Sequence, residues 1–324
     1  MTGLAILGTG RWAPRLAAAA GRAGLRVVTC YSRDERARTE FAERFRCEAA
    51  AGLEEALGHP EVEGVVIATP NDVHLDHTLA CAELGRHVFV EKPMADTLEA
   101  GERMRDACVE AGVVLMVGHG FRRLGAARRA KKLIDDGALG RVVLAEANMS
   151  LPGSFTPGAW RAERSRAPGG PLMQLGIHHV DTLAYWIGPI RRASGRFAHV
   201  HADADIDDVG VAQLEFESGA LGTVTGSYVS PKTLSLRLLG TEAVLEYRTD
   251  FSVWPDAQAL DGATALTLDG ERIEFEEHDM LAEELAEFGR CIRGEDHVET
   301  GAAEGLAALG VVLQALESQA EAVG

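Results

Sequence analysis

The sequence predicts an α/β protein of two domains, the first built on a parallel sheet and the second on a largely antiparallel one. Apolar strand-like runs alternate with helical runs up to about residue 118, which is the pattern of a parallel sheet with right-handed crossovers. Beyond Gly118, several strand-like runs follow one another with few helices between them. A length of 324 residues suits two domains. We place them at residues 1–118 and 119–324, and leave open whether the last helix packs back on the first domain.

The elements of the first domain are short buried strands, each followed by a helix. The fourth strand ends just before Glu91, and the helices include those that start near Pro14 and Thr97. The strands are expected at Gly3–Leu7, Leu25–Tyr31, Gly64–Thr69, His87–Val90 and Val113–Val117.

The second domain opens with an amphipathic helical run at Ala126–Ile134. Turn signals such as Glu217-Ser218-Gly219 separate its strands and indicate antiparallel pairing. The strands are expected at Val142–Asn148, Val209–Phe216, Leu221–Tyr228, Leu234–Leu239 and Val244–Tyr247, and two helices follow at Met280–Ile292 and Ala302–Ala322.

Composition excludes several classes of protein. A net charge of −17 and a pI near 5.1 argue against nucleic acid or an anionic membrane as a partner. No apolar segment is long enough to span a bilayer, and the first strand begins too close to Met1 to leave room for a signal peptide. The five cysteines are widely spaced without a Cys-x-x-Cys pair, as in a reduced compartment. We therefore expect a cytoplasmic protein.

A dinucleotide-binding pattern follows the first strand. Gly8-Thr9-Gly10-Arg11-Trp12-Ala13 has the form G-x-G-x-x-A and leads directly into a helix. Gly8 permits a tight turn, Gly10 lets the backbone approach a pyrophosphate, and the helix N-terminus offers unpaired N–H groups to the phosphates. We predict that Gly8, Thr9, Gly10, Arg11 and Trp12 bind the cofactor.

The end of the second strand indicates which dinucleotide is bound. NAD sites usually place an acidic residue there, whereas this chain has Ser32 followed by Arg33. A hydroxyl and a guanidinium suit a 2′-phosphate. We predict NADP, with NAD as the second possibility. Two alternatives stay open: Asp34 fills the acidic role if the strand ends later, and Arg33 merely starts the next helix.

A lysine stands at the end of the fourth strand, in Glu91-Lys92-Pro93. The chain uses lysine at only four of its 32 basic positions, so a lysine here indicates a need for an amine. Lysine can give up its proton when desolvated, and arginine effectively cannot. Ligands of α/β sheets bind where the strands end. The alternative is a solvated lysine after a strand.

Along its whole length, the chain resembles the glucose–fructose oxidoreductase, inositol dehydrogenase and rhizopine-catabolism family, abbreviated Gfo/Idh/MocA. The resemblance implies an N-terminal Rossmann domain with a doubly wound parallel sheet. It also implies a C-terminal α/β domain whose large, mostly antiparallel open sheet often forms an oligomer interface, here a homodimer or homotetramer. The matching segments are Gly8–Ala13, Ala68–Asn71 with His74, Gly85–Pro93, Gly118 with Arg122, and Gly169-Gly170 leading to Leu175–His178 and Asp181.

The resemblance also implies an activity and roles for individual residues. The expected reaction is nicotinamide-dependent hydride transfer at a secondary alcohol, or the matching ketone, of a sugar, cyclitol or related polyol. Lys92 and His178 would be the catalytic acid/base groups, since a histidine titrates in the working pH range. Lys92 would also contact both cofactor and substrate. The remaining implied cofactor contacts are Thr69, Pro70, Asn71, His74 and Glu91.

One position departs from the family pattern. The family has an aspartate four residues before the histidine, and this chain has Gln174. An α-helical spacing would place Gln174, His178, Asp181 and Tyr185 on one face. Glutamine can bind a substrate hydroxyl but cannot hold a charge. Asp181 either compensates for the missing carboxylate or is a structural carboxylate, and His179 is a further candidate for substrate contact.

Other candidate residues have competing interpretations. Trp160 and Arg161 either line the substrate pocket or anchor a long loop. Arg122 either binds substrate or links the two domains. His199 and His201, with the aspartates that follow them, hold metal-binding atoms, but their spacing fits a strand that runs into an acidic turn, so we predict no metal site.

Two other classes of function remain open. The first is a nicotinamide-dependent glycoside hydrolase or lyase that oxidises its substrate transiently and consumes no cofactor. The second is a non-catalytic sensor of dinucleotides, a role against which the presence of both Lys92 and His178 argues.

Overall fold

The computed structural model describes residues 1–153, 160–254 and 256–321. The chain forms two compact units. The first consists of Met1–Gly120 and Asp279–Leu306, and the second of Phe121–His278 and the chain from Ala307 onward. Among the described residues, no helix combines the length and the apolar composition needed to cross a membrane.

The first unit contains a parallel sheet of six strands in the order β3-β2-β1-β4-β5-β6. The strands are β1 (Gly3–Leu7), β2 (Arg26–Tyr31), β3 (Glu48–Ala49), β4 (Gly64–Ile67), β5 (His87–Glu91) and β6 (Leu115–Gly118). The helices between them are α1 (Ala13–Arg22), α2 (Glu35–Phe45), α3 (Leu53–Gly58), α4 (His74–Glu83) and α5 (Leu98–Glu110). Strands β1, β4 and β6 are buried along their whole length, as in a sheet that helices cover on both faces.

The order of the strands reverses next to β1, which is where ligands bind in sheets of this kind. The loops after β1 and β4 come close together at that point. A Cβ atom at Gly8 would lie 2.7 Å from the backbone oxygen of Ala68, and Gly8 has a φ of +87°. Glycine is therefore required at this position both for space and for backbone conformation.

The second unit contains a sheet of eight strands in the order β14-β13-β12-β11-β7-β10-β9-β8. Only β7 and β10 pair in parallel, and the remaining neighbours are antiparallel. The strands are β7 (Val142–Ser150), β8 (Ile190–Ala198), β9 (Val209–Phe216), β10 (Leu221–Ser227), β11 (Thr233–Gly240), β12 (Val244–Thr249), β13 (Thr264–Leu268) and β14 (Glu271–Arg272). Helices α6 (Gly125–Asp135) and α7 (Ile177–Ile187) belong to the same unit. The predicted combination of a parallel sheet and a mostly antiparallel sheet is confirmed.

The strands of the second sheet alternate between buried and accessible residues. In β9, for example, Gly210, Ala212 and Leu214 are buried, while Val211 and Gln213 are exposed. This period of two means that one face of the sheet is covered and the other is open.

The two C-terminal helices are α8 (Met280–Ile292) and α9 (Ala302–Glu321). The predicted helix end at Ala322 lies outside the described residues. Side chains of α9 cover the edge strand β8: Gln314 accepts the N–H of Ala193, and Ser318 accepts that of Gly195 at 2.9 Å. An uncovered edge would expose these N–H groups to pairing with other chains.

Candidate active site

The loop Gly8–Trp12 joins β1 to α1 at the carboxyl edge of the parallel sheet. Gly8 donates its N–H to the backbone oxygen of Tyr31 at 2.8 Å, which fixes the start of the loop. A Cβ atom at Gly10 would meet no atom within 4 Å, so the space above this residue is open. Among the described residues no side chain caps the N-terminus of α1, and Pro14 stands in its first turn. The loop therefore offers backbone N–H groups and room, which is what a pyrophosphate requires.

The position at which β2 ends distinguishes Ser32 from Asp34 as the first polar residue beyond the strand. The strand ends at Tyr31, so Ser32 is the first residue beyond it, and its Oγ lies 2.8 Å from Oγ1 of Thr9. Asp34 is the N-cap of α2, and its carboxylate accepts the N–H of Ala37 at 3.0 Å. Because this carboxylate caps a helix, the strand end presents Ser32 and the exposed Arg33 instead of an acid.

A second arginine, which was not among the predicted cofactor-binding residues, reaches the same strand end. Arg38, in the first turn of α2, donates from Nη1 to the backbone oxygen of Ser32 at 2.8 Å. Its place in the sequence, one turn into the helix after β2, is the only signal that could have found it. The end of β2 therefore has two guanidinium groups nearby, which favours an anionic ligand.

The loop after β4 contains Thr69, Pro70 and Asn71, and a 3-10 turn runs from Asn71 to Val73. Asn71 is buried, and its Nδ2 donor has no partner among the described residues. A buried amide donor without a partner is costly, so this atom is a candidate to bind a ligand.

His77 lies behind the same loop, with Nδ1 3.3 Å from Oγ1 of Thr69. Burial, chiefly, lowers the pKa of His77 to about 4.

His74 holds two loops together. Its Nε2 lies 3.0 Å from the backbone oxygen of Thr69, and its Nδ1 lies 3.1 Å from that of Pro93 and 3.3 Å from that of Met94. Burial lowers the pKa of His74, and the contacts with the three carbonyl oxygens oppose this shift. Only 1% of its surface is exposed. His74 was predicted to bind the cofactor, but this burial leaves it almost no surface for direct contact.

Lys92 follows β5 directly and is half-buried at the carboxyl edge of the sheet. The Lys92–Pro93 peptide bond is cis. Glu91, the last residue of β5, accepts the indole N–H of Trp12 at 2.6 Å. Trp12 and Glu91, which were each predicted to contact the cofactor, are therefore hydrogen-bonded to each other.

His178 is the second residue of α7, and 6% of its surface is exposed. Its ring packs against that of Phe121, with centroids 4.4 Å apart. Gln174 is also buried, but it lies in a π-helical turn at Leu172–Gly176 that precedes α7. The expected α-helical stripe therefore holds for His178, Asp181 and Tyr185 only. The wider turn changes the register at Gln174.

Asp181 and Arg122 form a buried ion pair. Nε of Arg122 donates to Oδ2 of Asp181 at 2.9 Å, and Nη2 donates to Oδ1 at 2.5 Å. The guanidinium also lies 5.0 Å above the ring of Tyr185. A bidentate arginine holds the Asp181 carboxylate, which favours the structural role over compensation for the aspartate that Gln174 replaces. The same pairing engages Arg122, whose contact with substrate stays a prediction.

His179 is fully buried, with 0% of its surface exposed. Its Nε2 lies 3.1 Å from the backbone oxygen of Asn148 in β7, and burial lowers its pKa to about 4. The ring is a buried group that contacts the sheet, and contact between His179 and substrate stays a prediction.

Trp160 and Arg161 lie in a 3-10 turn at Trp160–Ala162. The guanidinium of Arg161 stacks on the Trp160 ring, 4.3 Å from its centroid. Trp160 is half-buried and Arg161 is exposed. An aromatic face beside a guanidinium suits a polyol.

The side chains of His199 and Asp208, after β8, bind backbone groups. Strand β8 ends at Ala198, before His199 and His201, which the sequence had placed on a strand. Asp208 is buried and accepts the N–H groups of Val200, His201 and Ala202 at 2.6–2.8 Å. Within the described part of the chain, no three histidine, cysteine, aspartate or glutamate side chains are arranged to hold a metal ion.

Two family models match the chain. Residues 2–119 match the model described as an oxidoreductase family with an NAD-binding Rossmann fold. Residues 127–246 match the model of the GFO/IDH/MocA C-terminal domain. The first match covers β1 to β6, and the second covers the chain from α6 into β12.

Individual relatives cover most of the chain. D-xylose 1-dehydrogenase [NADP(+)] of Haloarcula marismortui is 30% identical over 89% of this chain and 82% of its own length. The scyllo-inositol 2-dehydrogenase (NAD(+)) of Bacillus subtilis is 30% identical over 74% of this chain and 70% of its own. A crystal structure of a candidate NADPH-dependent oxidoreductase from Desulfitobacterium hafniense has a TM-score of 0.94 and 36% identity, and the match covers 99% of this chain and 96% of that one. The resemblance noted in the sequence is confirmed, and the chain belongs to the Gfo/Idh/MocA family of oxidoreductases.

Proposed function

We propose that this protein transfers a hydride between NADP and a secondary alcohol or ketone of a sugar, cyclitol or related polyol. The observation that carries the proposal is the place of Lys92. It follows β5 at the same edge of the parallel sheet where the open Gly8–Trp12 loop follows β1. A proton donor and a dinucleotide loop at one sheet edge suit dehydrogenase chemistry.

The residues at this edge fit a nicotinamide dinucleotide. The open space at Gly10 and the uncapped start of α1 would hold the pyrophosphate. The loop of Thr69, Pro70 and Asn71, with its unpartnered Nδ2 donor, would hold the ribose next to the nicotinamide. When bound, the nicotinamide supplies or accepts the hydride.

NADP is preferred over NAD in this proposal. Ser32 and the exposed Arg33 follow β2, and Asp34 caps α2 instead of pointing an acid at the ribose. A 2′-phosphate would gain charge-assisted hydrogen bonds from Arg33, which a ribose hydroxyl cannot match. The D-xylose dehydrogenase relative is named for NADP and the inositol dehydrogenase relative for NAD, so the relatives support either cofactor, and the residues after β2 support NADP.

Lys92 and His178 are the proposed acid/base groups. The ammonium of Lys92 polarises the substrate oxygen and shares its proton, which lysine can do when partly desolvated. The imidazole of His178 takes the proton of the alcohol during oxidation and returns it during reduction. Gln174 orients a substrate hydroxyl by hydrogen bonding without holding charge. Trp160 and Arg161 are proposed to contact the polyol.

The open face of the second sheet is the proposed contact between copies of the chain. Val211 and Leu221 are exposed there on strands β9 and β10. Exposed apolar side chains on an open sheet face favour association. We propose a cytoplasmic homodimer or homotetramer.

A fluorescence titration with NADPH and NADH, followed by a panel of polyols and ketoses monitored at the nicotinamide absorbance, tests the function. Tighter binding of NADPH and substrate-dependent turnover are expected. Binding with product formation but no net cofactor change would favour the transient-oxidation hydrolase or lyase. Binding without any turnover would favour the sensor.

A further inference from the structure

The segment that carries Lys92 is attached to the dinucleotide loop by a side-chain hydrogen bond. Trp12 ends that loop, and Glu91 precedes Lys92 in the chain. The indole Nε1 donates to Oε1 of Glu91 at 2.6 Å, and both residues are half-buried. Strands β1 and β5 are not neighbours, because β4 lies between them, so this bond reaches over one strand. A bond from an N–H to a carboxylate is about twice as strong as a neutral one.

Gly118 makes room for the Glu91 carboxylate. The two residues face each other in the pairing of β5 with β6. A Cβ atom at Gly118 would lie 3.3 Å from both Cδ and Oε1 of Glu91, closer than most real Cβ contacts. The carboxylate therefore occupies the space that a side chain at position 118 would fill, with the Trp12 indole as its donor.

The chain beyond Lys92 is held as well. The backbone oxygens of Pro93 and Met94 both lie within hydrogen-bond distance of Nδ1 of His74, whose other nitrogen contacts Thr69. Lys92 is thus flanked by one attachment to the loop after β1 and another to the loop after β4. Its Cα has little freedom to move relative to either loop.

We propose that Trp12 and Glu91 are positioning residues for Lys92. The inference rests on the proposed function and deepens it. The bond between them fixes the end of β5 and with it the backbone of Lys92 at the carboxyl edge of the sheet. Misplacement of a catalytic group by about 1 Å can cost up to about a hundredfold in rate. Neither side chain needs to touch the cofactor to have this effect.

The bond itself is tested on the cofactor-free protein by NMR with ¹⁵N-labelled indole groups. The chain has four tryptophans, and Trp12→Phe assigns the Trp12 signal. A Trp12 resonance that moves upfield and loses protection from exchange in Glu91→Ala is expected. Glu61→Gln is the matched control, because Glu61 is exposed and pairs with Arg26. A Trp12 signal that does not respond to Glu91→Ala overturns the proposal.

The positioning role is tested by steady-state kinetics of Trp12→Phe, Glu91→Ala and the double variant. Each single variant should lower kcat by about tenfold to a hundredfold, and by a larger factor than it raises the Kd of NADPH, since both residues are also predicted cofactor contacts. The double variant should be no worse than the worse single one, because both remove the same bond. Glu91→Gln keeps an oxygen acceptor and should retain most of kcat, which also covers the case in which Glu91→Ala fails to fold.

Other outcomes contradict specific parts of the account. A raised Kd with unchanged kcat in Trp12→Phe would mean that the indole binds the cofactor and does not position Lys92. Additive losses in the double variant would mean that the two residues act independently. Absence of turnover by the wild-type protein would overturn both the proposed function and the positioning role. The NMR measurement tests the hydrogen bond between Trp12 and Glu91 independently of turnover.

Discussion

Arg33 and Arg36 are exposed arginines on either side of the junction between β2 and α2, and only one of them stands at the strand end. Arg36 pairs with Glu40 on the helix at 2.8 Å. Arg33→Ala should raise the Kd of NADPH by about tenfold to a hundredfold, since a hydrogen bond to a charged group contributes about 1.5–3 kcal/mol. The Kd of NADH should change little. Fluorescence titration of both cofactors measures the difference.

Arg36→Ala is the matched control for this change. It removes the same charge from the same region and should leave both dissociation constants as they are. If Arg33→Ala weakened NADPH and NADH equally, Arg33 would be a structural residue and the preference for NADP would lose its support.

Single residues differ in how far the sequence could predict them. Ser32 and Lys92 were predictable, because an apolar run shows where a strand ends and the next residue falls at the ligand edge. The bond from Trp12 to Glu91 spans 79 positions and that from Arg122 to Asp181 spans 59, and no local pattern encodes such pairs. Burial of His179 was equally invisible, because its neighbour His178 has the same chemistry and a similar place on α7.

At the scale of elements, the ion pair between Arg122 and Asp181 ties the 3-10 turn at Gly120–Arg123 to α7. Asp181→Ala would leave the guanidinium buried without its carboxylate, which typically costs about 3–5 kcal/mol. We expect a loss of that order in the free energy of unfolding, measured with urea. The double variant Arg122→Met/Asp181→Leu should recover most of it, because neither charge is then buried.

The opposite result would change the role of Asp181. A variant Asp181→Asn with unchanged stability but a large fall in kcat would mean that the carboxylate acts on His178 after all. The paired double variant separates the two cases, because it restores packing without restoring a carboxylate.

The π-helical turn before α7 explains why the position of Gln174 relative to His178 was predicted wrongly. Leu172–Gly176 has apolar residues and spacing that an α-helix would accept equally well, so the expected stripe included Gln174. This turn packs closely against a distant strand: a Cβ atom at Gly176 would lie 3.2 Å from the side chain of Val224 in β10. Such contacts with distant strands override local periodicity.

At the scale of the whole molecule, buried neutral histidines make stability depend on pH. Burial lowers the pKa of His179 from 6.5 to about 4, and His77 and His74 are shifted in the same direction. Below pH 6.5 the unfolded chain binds protons that the folded chain does not. The free energy of unfolding therefore decreases as the pH is lowered from 6.5 to 4. His179 alone should cost on the order of 3 kcal/mol at the acid end of this range.

Calorimetric melts from pH 8 to pH 4 measure this effect. Tm should be nearly constant above pH 7 and should fall steadily below pH 6.5. His179→Asn removes one titrating group, so its Tm should fall less steeply than that of the wild type. A wild-type Tm that rises or stays level between pH 6.5 and 4 would contradict burial of these rings in the neutral form.

The two-sheet architecture was predictable because its signals are periodic and local. Alternation of strands and helices predicted the parallel sheet, and successive strands with turn residues predicted the antiparallel one. Strand β8 was missed because Ile190–Ala198 contains three arginines and reads as polar. It is an edge strand whose N–H groups α9 covers, and that stabilisation comes from residues more than a hundred positions later.

The most direct test of the central claim is the initial rate of NADP⁺ reduction by Lys92→Met, compared with the wild type on the best substrate of the polyol panel. The account predicts a fall of at least about a hundredfold in kcat, because methionine keeps the bulk of the side chain and cannot donate or accept a proton. The Kd of NADPH should stay close to that of the wild type. A Lys92→Met protein that turns over at the wild-type rate would contradict the assignment of Lys92 as an acid/base group.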